Sequence, residues 1–292
     1  MSSQPALYGL VLLMVLCWSG NYIAAKIVFR EIPALLAMTL RSLVAAIVML
    51  PIFWTRDFSR VWNRREMTIL LGLGLCGTAL NQFFWTIGVA RTTVIHSSMI
   101  MGTVPLWVLL IAGVLKIERI TLPKIGGMAI ATAGLAILQA FRTNVAGKSP
   151  TLLGDFLVLL CALALAGTTA FGKVYRPQSG GIGVNTVGYV AAAILLLPTL
   201  WLPVPGFRFS DVTPAAWAGV CYMGAISSVT GYLIYYWALA RIPASRMAAF
   251  QYLQPVFASL MAVVMLGEDL TGGALAAGGI ISMGVFVTER FG

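Results

Sequence analysis

Apolar runs of about 20 residues recur along the whole chain, separated by short polar or basic stretches. A helix needs about that length to cross the roughly 30 Å hydrocarbon layer of a bilayer. The pattern predicts ten such helices, over 6–26, 33–54, 67–89, 94–115, 122–141, 152–175, 184–202, 214–240, 244–266 and 271–288. Several are joined by only a few residues, which predicts tight antiparallel hairpins. The opening MSSQPALYGL lacks a basic segment ahead of its apolar run, so the first run is expected to stay as a helix and not to be cleaved as a signal peptide.

The runs also repeat. Shifting the sequence by 150 residues places Arg91 on Arg241, Pro105 on Pro255, Glu118 on Glu268 and Gly134 on Gly284. In the first two spans a shift of 147 places Gly20 on Gly167, Lys26 on Lys173 and Leu50–Pro51 on Leu197–Pro198. One five-helix unit is therefore expected twice, over 1–146 and 147–292. Five is odd, so the second copy must enter the membrane upside down. Inverted repeats of this kind build many secondary transporters, with the substrate site near mid-membrane where the repeats meet.

Composition supports the membrane reading. Of the 292 residues 60 % are hydrophobic and only 10 % charged, whereas soluble domains keep about a quarter charged. The net charge of +10 changes the picture only through its placement. With the N-terminus inside, twelve of the 19 Lys and Arg fall in cytoplasmic segments, six in external ones, and Arg41 within the second span. Basic loops face the cytoplasm, so both termini are expected there. No basic run carries interleaved aromatics on a soluble face, which excludes nucleic acid as a partner. The four cysteines lie inside apolar runs with no CxxC pair, and are expected to be small buried hydrophobes.

Two stretches imitate nucleotide motifs. GLGLCG at 72–77 has the GxGxxG spacing, but it lies within an apolar span and no acid follows near 92–98. Its glycines are expected to let helices approach closely. Gly147-Lys148-Ser149 resembles the end of a phosphate loop, but Arg142 stands where its first glycine should be. No cofactor and no metal is expected. His96 is the only histidine, and no Asp or Glu lies mid-span. The absent mid-span carboxylate disfavours proton coupling through such a group and leaves facilitated diffusion ahead. The same absence argues against a membrane-embedded enzyme, so none is expected.

The mid-membrane polar residues are neutral or aromatic. We expect Trp18, Asn21, Tyr22, Asn81, Trp85, Tyr232, Gln251 and Gln254 to bind substrate. Aromatic side chains offer flat apolar area with a polar handle, and side-chain amides can donate to a carboxylate or accept from an amine. Lys26, Arg41, His96, Lys173, Pro105 and Pro255 are expected at the cavity mouths or as gating elements. The two prolines are expected to remove backbone hydrogen bonds within their spans, freeing the carbonyls of Met101 and Gln251.

Several stretches together resemble the drug/metabolite transporter superfamily in its ten-helix EamA type. They are CWSGNYIAAKIVF, TLRSLVAAIVML, VPLWVLLIAGVLKIERITLPKIGGMAIATAGLAIL, LLGDFLVLLCALALAGTTAFGKVY and QPVFASLMAVVMLGEDLTGGALAAGGIISMGVFV. The resemblance covers nearly the whole chain. It implies an all-α, ten-helix inverted-repeat carrier of the bacterial inner membrane, exporting small metabolites. Within that family the sequence looks most like YddG-type exporters of aromatic amino acids. The first span lacks the glutamate with which four-helix multidrug relatives bind cations and protons. The reading is therefore a secondary transporter that exports aromatic and other neutral amino acids or similar metabolites by alternating access. It is taken as facilitative, with one chain in the lipid bilayer as the working unit. The alternatives are an exporter of another class (nucleobase, drug or phosphorylated sugar) and a channel.

Overall fold

A computed structural model describes residues 4–56, 63–92, 97, 100–140, 151–175, 178–266 and 272–291. Every regular element among them is helical. In chain order they are α1 (Gln4–Glu31), α2 (Ala34–Arg56), α3 (Arg64–Arg91), α4 (Val104–Val114), α5 (Leu122–Ala140), α6 (Leu152–Tyr175), α7 (Gly180–Leu196), α8 (Pro214–Leu239), α9 (Ala244–Ala249), α10 (Leu253–Leu266) and α11 (Gly272–Phe291). Six of these, α1, α2, α3, α6, α7 and α8, are long and apolar enough to cross a membrane, while α4 and α5 are shorter apolar helices. The outward face is greasy, with Leu152 90 % and Val264 84 % exposed, as expected of helices whose outer face meets hydrocarbon.

Local chemistry explains where the helices begin. The Asn63 side chain accepts a hydrogen bond from Arg65 N and caps α3; Thr213 caps α8 through Ala216 N, and Pro214 occupies the first helical position. Gly180, at φ +55°, turns the chain into α7, so that helix begins four residues before the expected 184. Two helices widen to π hydrogen bonding in mid-course: α3 over Leu75–Leu80 and α8 over Tyr222–Gly231. Such bulges are rare and concentrate at functional sites.

One expectation is corrected here. Pro105 does not break a continuous helix. The fourth span is already interrupted by a turn at Gly102–Thr103, and Pro105 sits in the first turn of α4. There its missing N–H removes no helical bond. The ninth span is likewise interrupted, by a tight turn at Phe250–Tyr252, and residue 255 lies in the first turn of α10. The Pro255 side chain, His96, Glu268, Asp269 and the repeat boundary at 146–147 lie outside the described residues.

The helices interlock through small residues. α5 packs along α11, α3 against α6 and α7, α1 against α8 and α10, and α2 against α7 and α8. A Cβ on Gly74 would lie 2.8 Å from the backbone nitrogen of Gly188, so α3 and α7 cross with almost no side chain between them. Gly77 abuts Thr168, whereas Gly72 faces open space; two of the three glycines in GLGLCG therefore serve close packing. Gly127 and Ala277 are buried, but Gly126 and Ala276 lie away from close contact. Among the cysteines Cys17 and Cys161 are buried, while Cys76 and Cys221 are exposed, against expectation. An apolar helix carries no period that tells its lipid face from its buried one.

Every described carboxylate lies at a helix end or in a connection, and three of them cap other segments. Glu31 accepts from the Thr213 N–H and hydroxyl at 2.7 and 2.9 Å. Glu66 accepts from the Ser179 N–H and hydroxyl at 3.1 and 3.0 Å. Glu118, between α4 and α5, pairs with Lys124 at 3.2 Å and accepts from the Ala244 N–H and the Ser245 hydroxyl at the start of α9. Burial alone would raise the Glu118 pKa, but Ser245, Lys124 and the Ala244 N–H together hold it below the ordinary carboxylate value. A depressed folded pKa contributes stability above the unfolded value of about 4.3, and that stability is lost as pH falls through the folded value. Glu118→Gln should therefore lower the unfolding temperature of detergent-solubilised protein near neutral pH. The gap to wild type should close once pH falls below the folded value, and a gap that stayed constant across that range would contradict this assignment.

Candidate functional site

The middle of α1 meets two separate apolar cores. One gathers Val11, Met14 and Val15 with residues of α4, α5, α8 and α11, and includes Trp18. The other gathers Ala24, Ala25, Val28 and Ile32 with residues of α2 and α8, and includes Trp85 from α3. Asn21 falls between the two and Tyr22 packs against the second, where a cavity opens. Its empty space is about 470 Å³ with its opening to solvent included.

All eight residues expected to bind substrate line this cavity: Trp18, Asn21 and Tyr22 from α1, Asn81 and Trp85 from α3, Tyr232 from α8, and Gln251 and Gln254 from the interrupted ninth span. The aromatic walls are mutually braced. Trp18 lies 5.1 Å from Tyr232 and 5.4 Å from Tyr235, centroid to centroid, and Tyr22 meets Trp85 edge-on at 6.0 Å. The Trp18 indole N–H donates to the Ser227 carbonyl at 3.2 Å, which fixes the ring. The Ser19 hydroxyl donates to the carbonyls of Val15 and Gln254, tying α1 to the ninth span.

The polar groups divide into paired and unpaired. Asn81 is occupied: its Nδ2 donates to the Cys161 carbonyl at 3.0 Å, and its Oδ1 accepts from the Tyr232 hydroxyl at 3.4 Å. It therefore holds α3, α6 and α8 together at the cavity wall. Asn21 Oδ1 and Gln251 Nε2 have no hydrogen-bond partner among the described residues, although each residue is only 7 % exposed. Buried polar atoms are nearly always paired, so each exception calls for an explanation.

Arg41, expected at a mouth or as a gating element, is also among the lining residues; α2 carries it, and it is 2 % exposed. Its Nε donates to Ser228 Oγ at 2.7 Å and its Nη2 to Ser227 Oγ at 3.4 Å, while Nη1 has no partner among the described residues. The π-bonded stretch of α8 supplies both serines. Lys26 and Lys173 lie toward the C-terminal ends of α1 and α6 and are not part of the cavity wall.

Sequence reasoning missed five lining residues: Gln82, Met101, Cys161, Leu165 and Ser227. Gln82 could have been found from its place beside Asn81, because two adjacent amides in an apolar span cannot both face lipid without cost. Met101 and Leu165 carry no such signal. Met101 comes to the cavity because the fourth span breaks immediately after it.

Comparison with known proteins decides the family. The model of the EamA-like transporter family matches residues 6–139 and, a second time, residues 152–290. The chain belongs to the EamA-like transporter family. Among relatives of this EamA-like transporter, a probable terminal-alkyne amino-acid exporter of Streptantibioticus cattleyicolor is 28 % identical over 291 residues, covering 96 % of this chain and 94 % of its own. A probable amino-acid metabolite efflux pump of Salmonella typhimurium is 25 % identical, over 95 % and 93 % of the two chains. An uncharacterized transporter of Archaeoglobus fulgidus is 28 % identical, over 96 % of each. One crystal structure superposes with a TM-score of 0.82 over 99 % of this chain and 98 % of its own, at 19 % identity, a likeness of fold. The protein is thus a multi-pass membrane transporter and not an enzyme.

Proposed function

We propose that this EamA-like transporter exports aromatic and other neutral amino acids, or similar small metabolites, across the bacterial inner membrane by alternating access. It works as a facilitative secondary carrier, close in type to the YddG exporters. The observation that carries the reading is the cavity itself: aromatic walls, neutral amides, one guanidinium and no carboxylate among its described lining residues. A small solute with an apolar body and polar ends matches that lining. The names of the exporter from Streptantibioticus cattleyicolor and the efflux pump from Salmonella typhimurium point the same way.

The architecture we propose is ten helices in two inverted repeats, 1–146 and 147–292, with both termini cytoplasmic and the single chain as the working unit. Four features support it. The family model matches twice. The π-bonded stretches of α3 and α8 start 147 residues apart. The fourth and ninth spans are both interrupted just ahead of prolines 150 residues apart. The packing of α1 on α8 and α10 is mirrored by that of α6 on α3 and α4, and that of α2 on α8 by α7 on α3. Broken helices at the midplane are where such carriers bind their cargo. Lys26 and Lys173 would then mark the two mouths, and the breaks before Pro105 and Pro255 would be the points that bend.

Uptake of labelled amino acids into liposomes containing purified protein tests this directly. Saturable flux, faster with unlabelled amino acid on the far side and unchanged by a pH gradient, is the expected result. Accumulation driven by the gradient would overturn the facilitative mechanism, with His96 the first residue to examine. Flux that never saturates would indicate a channel. Absence of flux for every amino acid would overturn the substrate class.

A further inference from the structure

Arg41 presents a physical problem that the transport reading does not by itself solve. A guanidinium stays protonated under all ordinary conditions, and a buried charge without a counter-ion is strongly destabilising. Arg41 is 2 % exposed, no carboxylate pairs with it among the described residues, and the groups that face it are neutral hydroxyls, those of Ser227, Ser228 and Tyr189. Its Nη1 is left over among the described residues, on a side chain that lines the cavity. Two further residues of the same lining carry buried unpaired atoms of opposite sense: Gln251 Nε2, a donor, and Asn21 Oδ1, an acceptor.

We propose, resting on the amino-acid reading above, that these three atoms read the two ends of a zwitterion. Arg41 Nη1 and Gln251 Nε2 hold the solute's carboxylate, Asn21 Oδ1 accepts from its ammonium group, and the solute's side chain lies among Trp18, Trp85 and Tyr232. The charge count selects a solute with a single carboxylate, and Asn21 Oδ1 supplies the acceptor for its ammonium group. Among its described lining residues the cavity offers one cation, which neutralises a monocarboxylate, whereas a phosphorylated sugar brings two negative charges and would leave one unmatched. A cationic drug would meet Arg41 as a like charge with no acid to offset it.

Binding to purified wild-type protein is measured for phenylalanine, phenylalaninamide, which lacks the carboxylate, and 3-phenylpropionate, which lacks the ammonium. Removing the carboxylate should weaken binding at least tenfold, and removing the ammonium by less. Arg41→Gln should bind phenylalanine and its amide equally. Because that variant also loses the bonds to Ser227 and Ser228, the wild-type series stands on its own if the variant does not fold. Equal binding of phenylalanine and its amide to wild type would overturn the role of Arg41 and leave the amino-acid reading in place. Binding of 3-phenylpropionate without phenylalanine would keep Arg41 as the anchor and overturn the zwitterion. Binding of none of the three would overturn both.

Discussion

Gly284→Leu should abolish the yield of folded protein, whereas Gly126→Leu, on the opposing helix, should leave it unchanged. A Cβ on Gly284 would lie 2.5 Å from both Ala131 N and Gly127 O, which are backbone atoms of α5. A flexible side chain can rotate away from such a contact, but two helical backbones can only separate. Separation would open the rest of the α5–α11 seam, including Gly134 against Ile281 and Gly127 against Thr288. Association between helices in lipid rests on this close packing, because hydrocarbon chains solvate an apolar surface as well as another helix does. Overpacking of a tight core typically costs about 1–3 kcal/mol, and here the obstruction is backbone, so the upper end or beyond is expected. Gly126 has nothing within 4 Å of its would-be Cβ, and leucine there also improves helix propensity by most of about 1 kcal/mol. Size-exclusion yield and the unfolding temperature in detergent give the readout. A monodisperse Gly284→Leu protein with wild-type thermal stability would show that α5 and α11 do not approach as described.

The sequence made the helices and most of the cavity legible, and particular residues show why. Trp18, Asn21 and Tyr22 stand out because polar and aromatic residues in the middle of an apolar span must turn inward, whatever the rest of the fold does. Gln251 and Gln254 stand out for the same reason. Arg41 stands out in the sequence as well, but its partners do not. Depth along a span can be read from sequence, whereas the direction a side chain points is set by neighbouring helices, here by the two serines of α8. The interruption at Gly102–Thr103 was hidden by the uniform apolarity of 94–115, so Pro105 read as a defect in a helix and not as the start of one. Leu165 and Met101 could not be found at all. Spans that are apolar on every face carry no period from which an inward side could be deduced.

Asn21→Leu and Gln251→Met should leave the protein as stable as wild type or more so, while transport falls by tenfold or more. Both residues are buried, and each carries an atom without a partner, Asn21 Oδ1 and Gln251 Nε2. Leaving a buried donor or acceptor unsatisfied costs about 1–3 kcal/mol, so an apolar side chain of similar size should recover part of that. Hydrogen bonds to charged groups contribute about 1.5–3 kcal/mol, which corresponds to roughly a tenfold to hundredfold loss of affinity when one is removed. Function and stability therefore move in opposite directions at these two positions, as they do where a site is kept unsatisfied for its ligand. Asn81→Leu provides the contrast. Its amide is already bonded to the Cys161 carbonyl and the Tyr232 hydroxyl, so its loss should lower the unfolding temperature as well as the flux. Unfolding temperatures in detergent and initial rates in liposomes, compared across the three variants, separate the cases. If Asn21→Leu and Gln251→Met lost stability in step with Asn81→Leu, the unpaired atoms would be structural and the cavity's polar ends would have to be sought elsewhere.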